Sequence, residues 1–360
     1  MAGYKKSVYC DFDFLKQWRR SNGCLSPFGN NDAMRMWLNA LNLLCKSKVQ
    51  LNIDVKTFQG QIRKRTGDTL FELWKRVANG ESEISFLEEH NVKFYENRLA
   101  SPEGVMYAYL VNEKRGVVNH LGKKYGVVTI TPDCWKGNEA AREKAYLFKD
   151  CGWAVKKGES KSWGEMLRSG EYRLSDCNSM IIIDNYILKN NIVIEKNLYP
   201  ILKVLLPPEL DKNIEFHLSI ITEDNHAPHQ DFGGIYISIR RKIEEMFPNL
   251  RLKFDLYVTS GIGEFHDRTI ITNNVIISCG GGFDLINSRG KISKNTEWRI
   301  LHQGIHVCDG ATDESYSNII STALSVIERI KAGNGGRYYP QDSEFRNRIF
   351  TQSGSNHRDY

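Results

Sequence analysis

Residues 264–287 read EFHDRTIITNNVIISCGGGFDLIN. The charged trio His266-Asp267-Arg268 leads into a β-branched, apolar stretch that runs to Ile277, is broken at Asn273-Asn274, and ends at Gly280, Gly281 and Gly282. β-Branched side chains pack well on a pleated surface, and paired asparagines between two such runs mark a tight hairpin turn. The stretch therefore predicts a strand, a turn, a second strand and a loop whose backbone can approach a ligand closely. On a strand, His266 and Arg268 share a face, because side chains alternate with period two. An imidazole beside a fixed cation, with free backbone N–H groups at a glycine turn nearby, suits a phosphate. The alternative is a hairpin whose His and Arg are ordinary surface residues.

The elements before this stretch fit a layered sheet. Residues 178–188 (NSMIIIDNYIL), 215–222 (EFHLSIIT) and 250–258 read as strands. Between them, residues 198–206 read as a helix closed by Pro207-Pro208. Residues 234–247 read as an amphipathic helix with Ile235, Ile239, Ile243 and Met246 on one face. Strand–helix–strand–helix–strand implies right-handed crossovers onto a shared sheet. Residues 313–331 are expected to form a helix, with acids at its start and Arg329 and Lys331 at its end to complement the dipole. Residues 333–360 read as a polar, flexible tail.

The motif spacing resembles the H-x-K-x-x-x-x-D signature of the phospholipase D superfamily, with its glycine turn behind. His266 stands at the His position, Arg268 at the Lys position, Asn273 at the Asp position and Gly280 at the first Gly, with Gly281 where that pattern has Ser. The resemblance covers roughly residues 178–330. It implies a phospholipase D-like fold and a metal-free site with no cofactor. His266 would be a nucleophile forming a phospho-His intermediate, Arg268 the phosphate clamp, Asn273 an orienting group, and Gly280 and Gly281 the close-approach turn. Arg keeps the phosphate contact, whereas Asn removes a carboxylate. The family's site uses two such motifs, and this chain has one. A homodimer pairing two copies of His266, a second acid such as His302 or His306, or a site that only binds would each account for that. HDR-type variants in bacteria resemble parts of defence or mobile-element systems, which is an association and supplies no mechanism.

The chain has 360 residues, eight cysteines without a C-x-x-C, and a net charge of +6. That length predicts two α/β domains, each a mixed sheet flanked by helices, with boundaries at 1–150, a junction at 151–177, 178–332 and the tail. Scattered cysteines and no signal-like start predict reduced thiols and a cytoplasmic protein. No apolar run approaches a membrane span, so no membrane partner is expected. The mild positive charge permits a nucleic-acid partner.

In the first domain, residues 7–14 (SVYCDFDF), 48–55 (KVQLNIDV) and 126–133 (GVVTITPD) read as strands with acids at their ends. Asp11 and Asp13 are expected to share a face by alternation. With Asp54 and Asp133 at the carboxyl edge of such a sheet, the four acids could hold Mg²⁺, in faint similarity to PIN-type nucleases. Helix caps and solvated acids are the competing reading. Two histidine pairs also call for weighing. His302 and His306 would share a helical face, and His226 and His229 lie in a polar loop; packing and solvation are the preferred readings of both.

Three functions follow. The first is a phospholipase D-like phosphodiesterase, most naturally a nuclease on DNA or RNA. The second is an inactive nucleic-acid or nucleotide binding subunit of a larger assembly. The third is a metal-dependent PIN-like nuclease in the first domain.

Overall fold

The computed structural model describes residues 7–21, 37, 40–80, 82–86, 108–118, 120–133, 151–168, 177–224, 230–260, 265, 268–302, 313–341 and 346–351. It is an α/β protein built on two sheets. The first comprises β1 (Ser7–Asp11), β2 (Lys48–Asn52), β3 (Glu83–Phe86), β4 (Ala108–Leu110) and β5 (Val128–Ile130), in the order β3-β2-β1-β4-β5. All four pairings are parallel. The order reverses at β1, between β2 and β4, which is where an open parallel sheet forms its crevice. One face is closed by Phe14, Trp18, Trp37, Leu41, Leu44 and Trp74.

The second sheet has eight strands: β6 (Cys151–Val155), β7 (Ser179–Ile183), β8 (Phe216–Glu223), β9 (Leu252–Thr259), β10 (Arg268–Thr272), β11 (Val275–Cys279), β12 (Thr296–His302) and β13 (Gly336–Tyr339). Their order is β13-β9-β8-β7-β10-β11-β12-β6. The β7, β8 and β9 strands run parallel, and every other pairing is antiparallel. Alternation in β7 sends Met180 and Ile182 into one core and Ile181 and Ile183 into the other. A sheet covered on both faces needs apolar residues at every position, which is why β7 reads as an unbroken apolar run. The helix Phe232–Met246 and the helical stretch from Asn191 to Leu205 cover one face, and the helix Asp313–Lys331 covers the other.

Three regions depart from the sequence reading. The expected junction supplies β6, hydrogen-bonded to β12, and the helix Trp163–Arg168, whose Trp163 and Met166 are fully buried. Its polar residues flank the strand and helix, and composition averaged over the segment hides the buried Trp and Met. Residues 297–302 lie in β12, so His302 ends a strand and does not stand on the expected helix; His306 lies outside the described residues. The tail is not all free: β13 pairs with β9, and the helix Arg348–Thr351 buries Ile349 and Phe350 in the second core. The loop with His226 and His229 lies outside the described residues.

That terminal helix is held by a buried polar network. Asn347 Oδ1 accepts from Ser179 Oγ (2.7 Å), and its Nδ2 donates to the Met180 carbonyl (2.9 Å). His217 Nδ1 accepts from the Arg348 backbone N–H (3.1 Å), and Nε2 lies 3.1 Å from Arg348 Nη2. Burial, with the Arg348 and Lys253 charges adding to it, lowers the His217 pKa to about 3. The unfolded chain then binds a proton that the folded chain refuses. The stability held above the unfolded pKa of about 6.5 is therefore lost as pH falls towards 3. Urea midpoints measured down this range should fall in the wild type and fall less steeply in His217→Gln. Parallel curves would remove His217 from the acid sensitivity.

Candidate phosphate site

The carboxyl end of β7 and the amino end of β10 meet because the two strands are antiparallel, with Thr269 opposite Ile183. Asp184 and Arg268 come next, opposite one another at the same end of that pair. Asp184 is fully buried and accepts the backbone N–H groups of Phe283 and Tyr186, both at 2.6 Å. Burial raises its carboxyl pKa, and those two hydrogen bonds and the Arg268 charge oppose the rise. The Arg268 guanidinium lies 5.4 Å from the centre of the Tyr186 ring, within cation–π range.

The glycine turn closes onto this pair. Gly282 has φ +81°, and a Cβ there would stand 3.2 Å from Asp184 Oδ2, 3.4 Å from Asp284 Oδ1 and 3.6 Å from Arg268 Cγ. One point thus lies within 3.6 Å of two carboxylates and the arginine stem, and only glycine suits both the φ and the space. At Gly281 the constraint differs: its N–H donates to Thr296 Oγ1 (2.7 Å), and a Cβ would meet that same side chain at 2.7 Å.

Asp284 draws in two further cations. Lys189 Nζ lies 2.6 Å from Oδ2 and Lys294 Nζ 2.7 Å from Oδ1, and the Asp284 side chain is only 8% exposed. Burial would raise the Asp284 pKa, but the two lysine hydrogen bonds outweigh it and hold the carboxyl below its ordinary value. Both lysines stay partly exposed, at 33% and 40%. A fully buried Asn197, within a π-helical turn (Ile194–Leu198), fixes the following segment. Its Oδ1 accepts from Ile286 N–H (2.7 Å) and its Nδ2 donates to Ile286 C=O (3.0 Å). Lys189 and Lys294, held on Asp284, and Arg268, whose charge acts on Asp184, therefore form a cation cluster around a glycine turn. Such a cluster can bind a phosphate monoanion through charge-assisted hydrogen bonds.

Of the residues singled out from sequence, Arg268 and Gly282 meet here, whereas Gly281 faces Thr296 and no atom lies within 4 Å of a Cβ built at Gly280. His266 lies outside the described residues. Asn273 does not belong to the site. It sits at the far end of β10, 2% exposed, where Oδ1 accepts from Asn178 N–H and Nδ2 donates to the Gly126 carbonyl, both at 3.0 Å. The length of β10 separates it from Arg268, so it cannot orient that side chain; it joins the two sheets instead. Lys189, Lys294, Asp184 and Asp284 were not singled out. They come from two separate connections, the one after β7 and the one between β11 and β12, and no spacing rule links them. The Asp184-Asn185 break at the end of an apolar strand was the only available signal.

The N-terminal acids are placed differently from one another. Asp11 ends β1 at the point where strand order reverses and is 8% exposed. Its Oδ1 accepts from Tyr9 Oη (2.8 Å) and Asn52 Nδ2 (3.0 Å), and its Oδ2 from Asn112 N–H (2.6 Å). Burial raises its pKa against these three hydrogen bonds. Asp13 is exposed and lies beyond the end of β1, so strand alternation does not carry it to the Asp11 face. Asp54 caps the helix Val55–Lys64 through Thr57 N–H (2.8 Å). Asp133 accepts from Arg115 N–H (3.2 Å) at the start of the helix Arg115–Val118, and from Thr131 Oγ1 (2.7 Å). Among the described residues, no group of three or more His, Cys, Asp or Glu side chains is set to share a metal ion. Also among them, no helix is long and apolar enough to cross a membrane.

No family model and no curated protein matches the chain. Among solved structures it is similar to phosphatidylserine synthase from Haemophilus influenzae Rd KW20, with a TM-score of 0.30 and 12% identity, covering 60% of this chain. The match spans 46% of that enzyme's length, and at this score it carries no argument about chemistry.

Proposed function

We propose that the protein is a phosphodiesterase acting on nucleic-acid strands, with its phosphate held at Arg268, Lys189 and Lys294. The observation that carries this reading is the cluster itself: Lys189 and Lys294 fixed on Asp284, with the Arg268 charge acting on the buried Asp184, at the carboxyl edge of parallel strands beside a glycine turn. With both acids ionised the cluster carries one net positive charge, which matches the single charge of a phosphodiester. Ligand sites of open α/β sheets occupy this edge. In this reading His266 supplies the nucleophile, and Arg268 neutralises the charge that develops on the equatorial oxygens. One such imidazole per chain favours a symmetric homodimer, in which a second His266 protonates the leaving oxygen.

The test is hydrolysis of labelled single- and double-stranded DNA and RNA, with and without EDTA, in the wild type and in His266→Ala. Cleavage that resists EDTA and disappears in the variant is expected. Cleavage that requires metal and ignores His266 would move the chemistry to Asp11 and its neighbours. Retention of nucleic acid without cleavage would leave a binding subunit.

A further inference from the structure

At the same edge of the parallel strands, a cleft of about 600 Å³ opens between the first turns of the two crossover helices, one starting at Asn191 and the other at Phe232. Asn191, Glu195 and Tyr199 line one wall, and Gln230, Asp231 and Ser238 the other. Gln230 ties the cleft to the cation cluster, because its Nε2 donates to the backbone carbonyl of Lys189 (2.6 Å), whose ammonium stands on Asp284. The amide oxygen of Gln230 is buried and has no hydrogen-bond partner, although buried polar atoms are nearly always satisfied. Among the described residues, no lysine or arginine lines this cleft. A phosphate is therefore drawn next door, and the polar lining here, Gln230, Glu195 and Asp231, suits a group that carries hydrogen-bond donors. The cleft volume lies within the range of small-ligand pockets, about 300–1,000 Å³.

We propose that this cleft takes the nucleobase attached to the phosphate held at Arg268, so that the substrate is a single strand or an unpaired end. The inference rests on the phosphodiesterase reading and adds substrate class to it. A base within a duplex is stacked on both sides and cannot enter a slot between two helices without being extruded. A strand with free bases can bind by placing one base in the cleft and its phosphate on the cations.

Two p-nitrophenyl diesters test this: bis(p-nitrophenyl) phosphate, which has no base, and the p-nitrophenyl ester of a nucleoside monophosphate. The variant is Ser238→Trp, which fills the cleft from an exposed position. It should raise KM for the nucleoside ester by a factor of about ten or more, the worth of one stacked base, and leave the bis-ester within about twofold. Equal effects on both esters, or none on either, would overturn the inference. If the wild type hydrolyses neither ester, the catalytic reading fails separately, and binding of a fluorescent single-stranded oligonucleotide decides. Loss of that binding in Ser238→Trp, with no competition from duplex, upholds the cleft. Unchanged binding in the variant, equal binding of duplex, or no binding by the wild type rejects it.

Discussion

Replacing Arg268 with Ala is expected to lower diester hydrolysis by about 10²–10³-fold, the usual cost of removing one fixed donor from developing negative charge. Most of the loss should appear in kcat, because the guanidinium bonds strengthen as charge builds on the phosphate oxygens. Arg268→Lys should recover part of it. An ammonium restores the charge but not the bidentate fork, and it stacks less well on Tyr186 at 5.4 Å. Arg268 is half-buried against Asp184, so circular dichroism and a urea midpoint should accompany the assay. An Arg268→Ala protein that is folded and within threefold of wild type would place the phosphate elsewhere. Of the other cations, Lys189 and Lys294 each share Asp284 with the other, so losing either should cost less than losing Arg268.

Replacing Asn273 with Ala should cost stability, on the order of 3 kcal/mol, and leave the diester site chemically intact. The side chain is 2% exposed and spans the boundary between the two sheets, from Asn178 N–H to the Gly126 carbonyl. Truncation orphans one donor and one acceptor in a closed space, and neither can turn to water. The same seam receives Asn178 Nδ2 on the Tyr125 carbonyl (3.0 Å), and Ile214 packs among Tyr9, Tyr109 and Tyr125. Gly126 could not compensate by gaining a side chain, since its φ is +64° and a Cβ would lie 2.6 Å from the Cys177 backbone. Urea unfolding should show the midpoint shift, while KM for the bis-ester stays near wild type. An unchanged midpoint, or a loss of activity without a loss of stability, would return Asn273 to the site from which the geometry removes it.

The contrast between these two positions shows what could be read from sequence. Arg268 and Asn273 belong to one motif by spacing, yet they stand at opposite ends of one strand and serve different purposes. Spacing counts residues along the chain. It does not say which end of the strand faces ligand and which faces a second sheet. The Asn273-Asn274 hairpin, the apolar β7 run and the glycine turn were legible because each expresses a local rule, namely turn geometry, two-sided burial and a φ that only glycine adopts readily. Asp54 was legible as a strand-end acid, but its choice between ion and helix cap depended on where Thr57 N–H came to lie.

By itself, then, the sequence determined the α/β class and the two-sheet division, because those rest on periodicity and backbone preference within a few residues. Tertiary structure alone decided that Lys189 and Lys294 converge on Asp284 from 95 and 10 residues away, that Asp184 sits beneath the glycine turn, and that 151–168 and 346–351 belong to the second sheet's cores. Electrostatic convergence depends on distance in space. Loop residues carry no periodic signal from which that distance could be inferred.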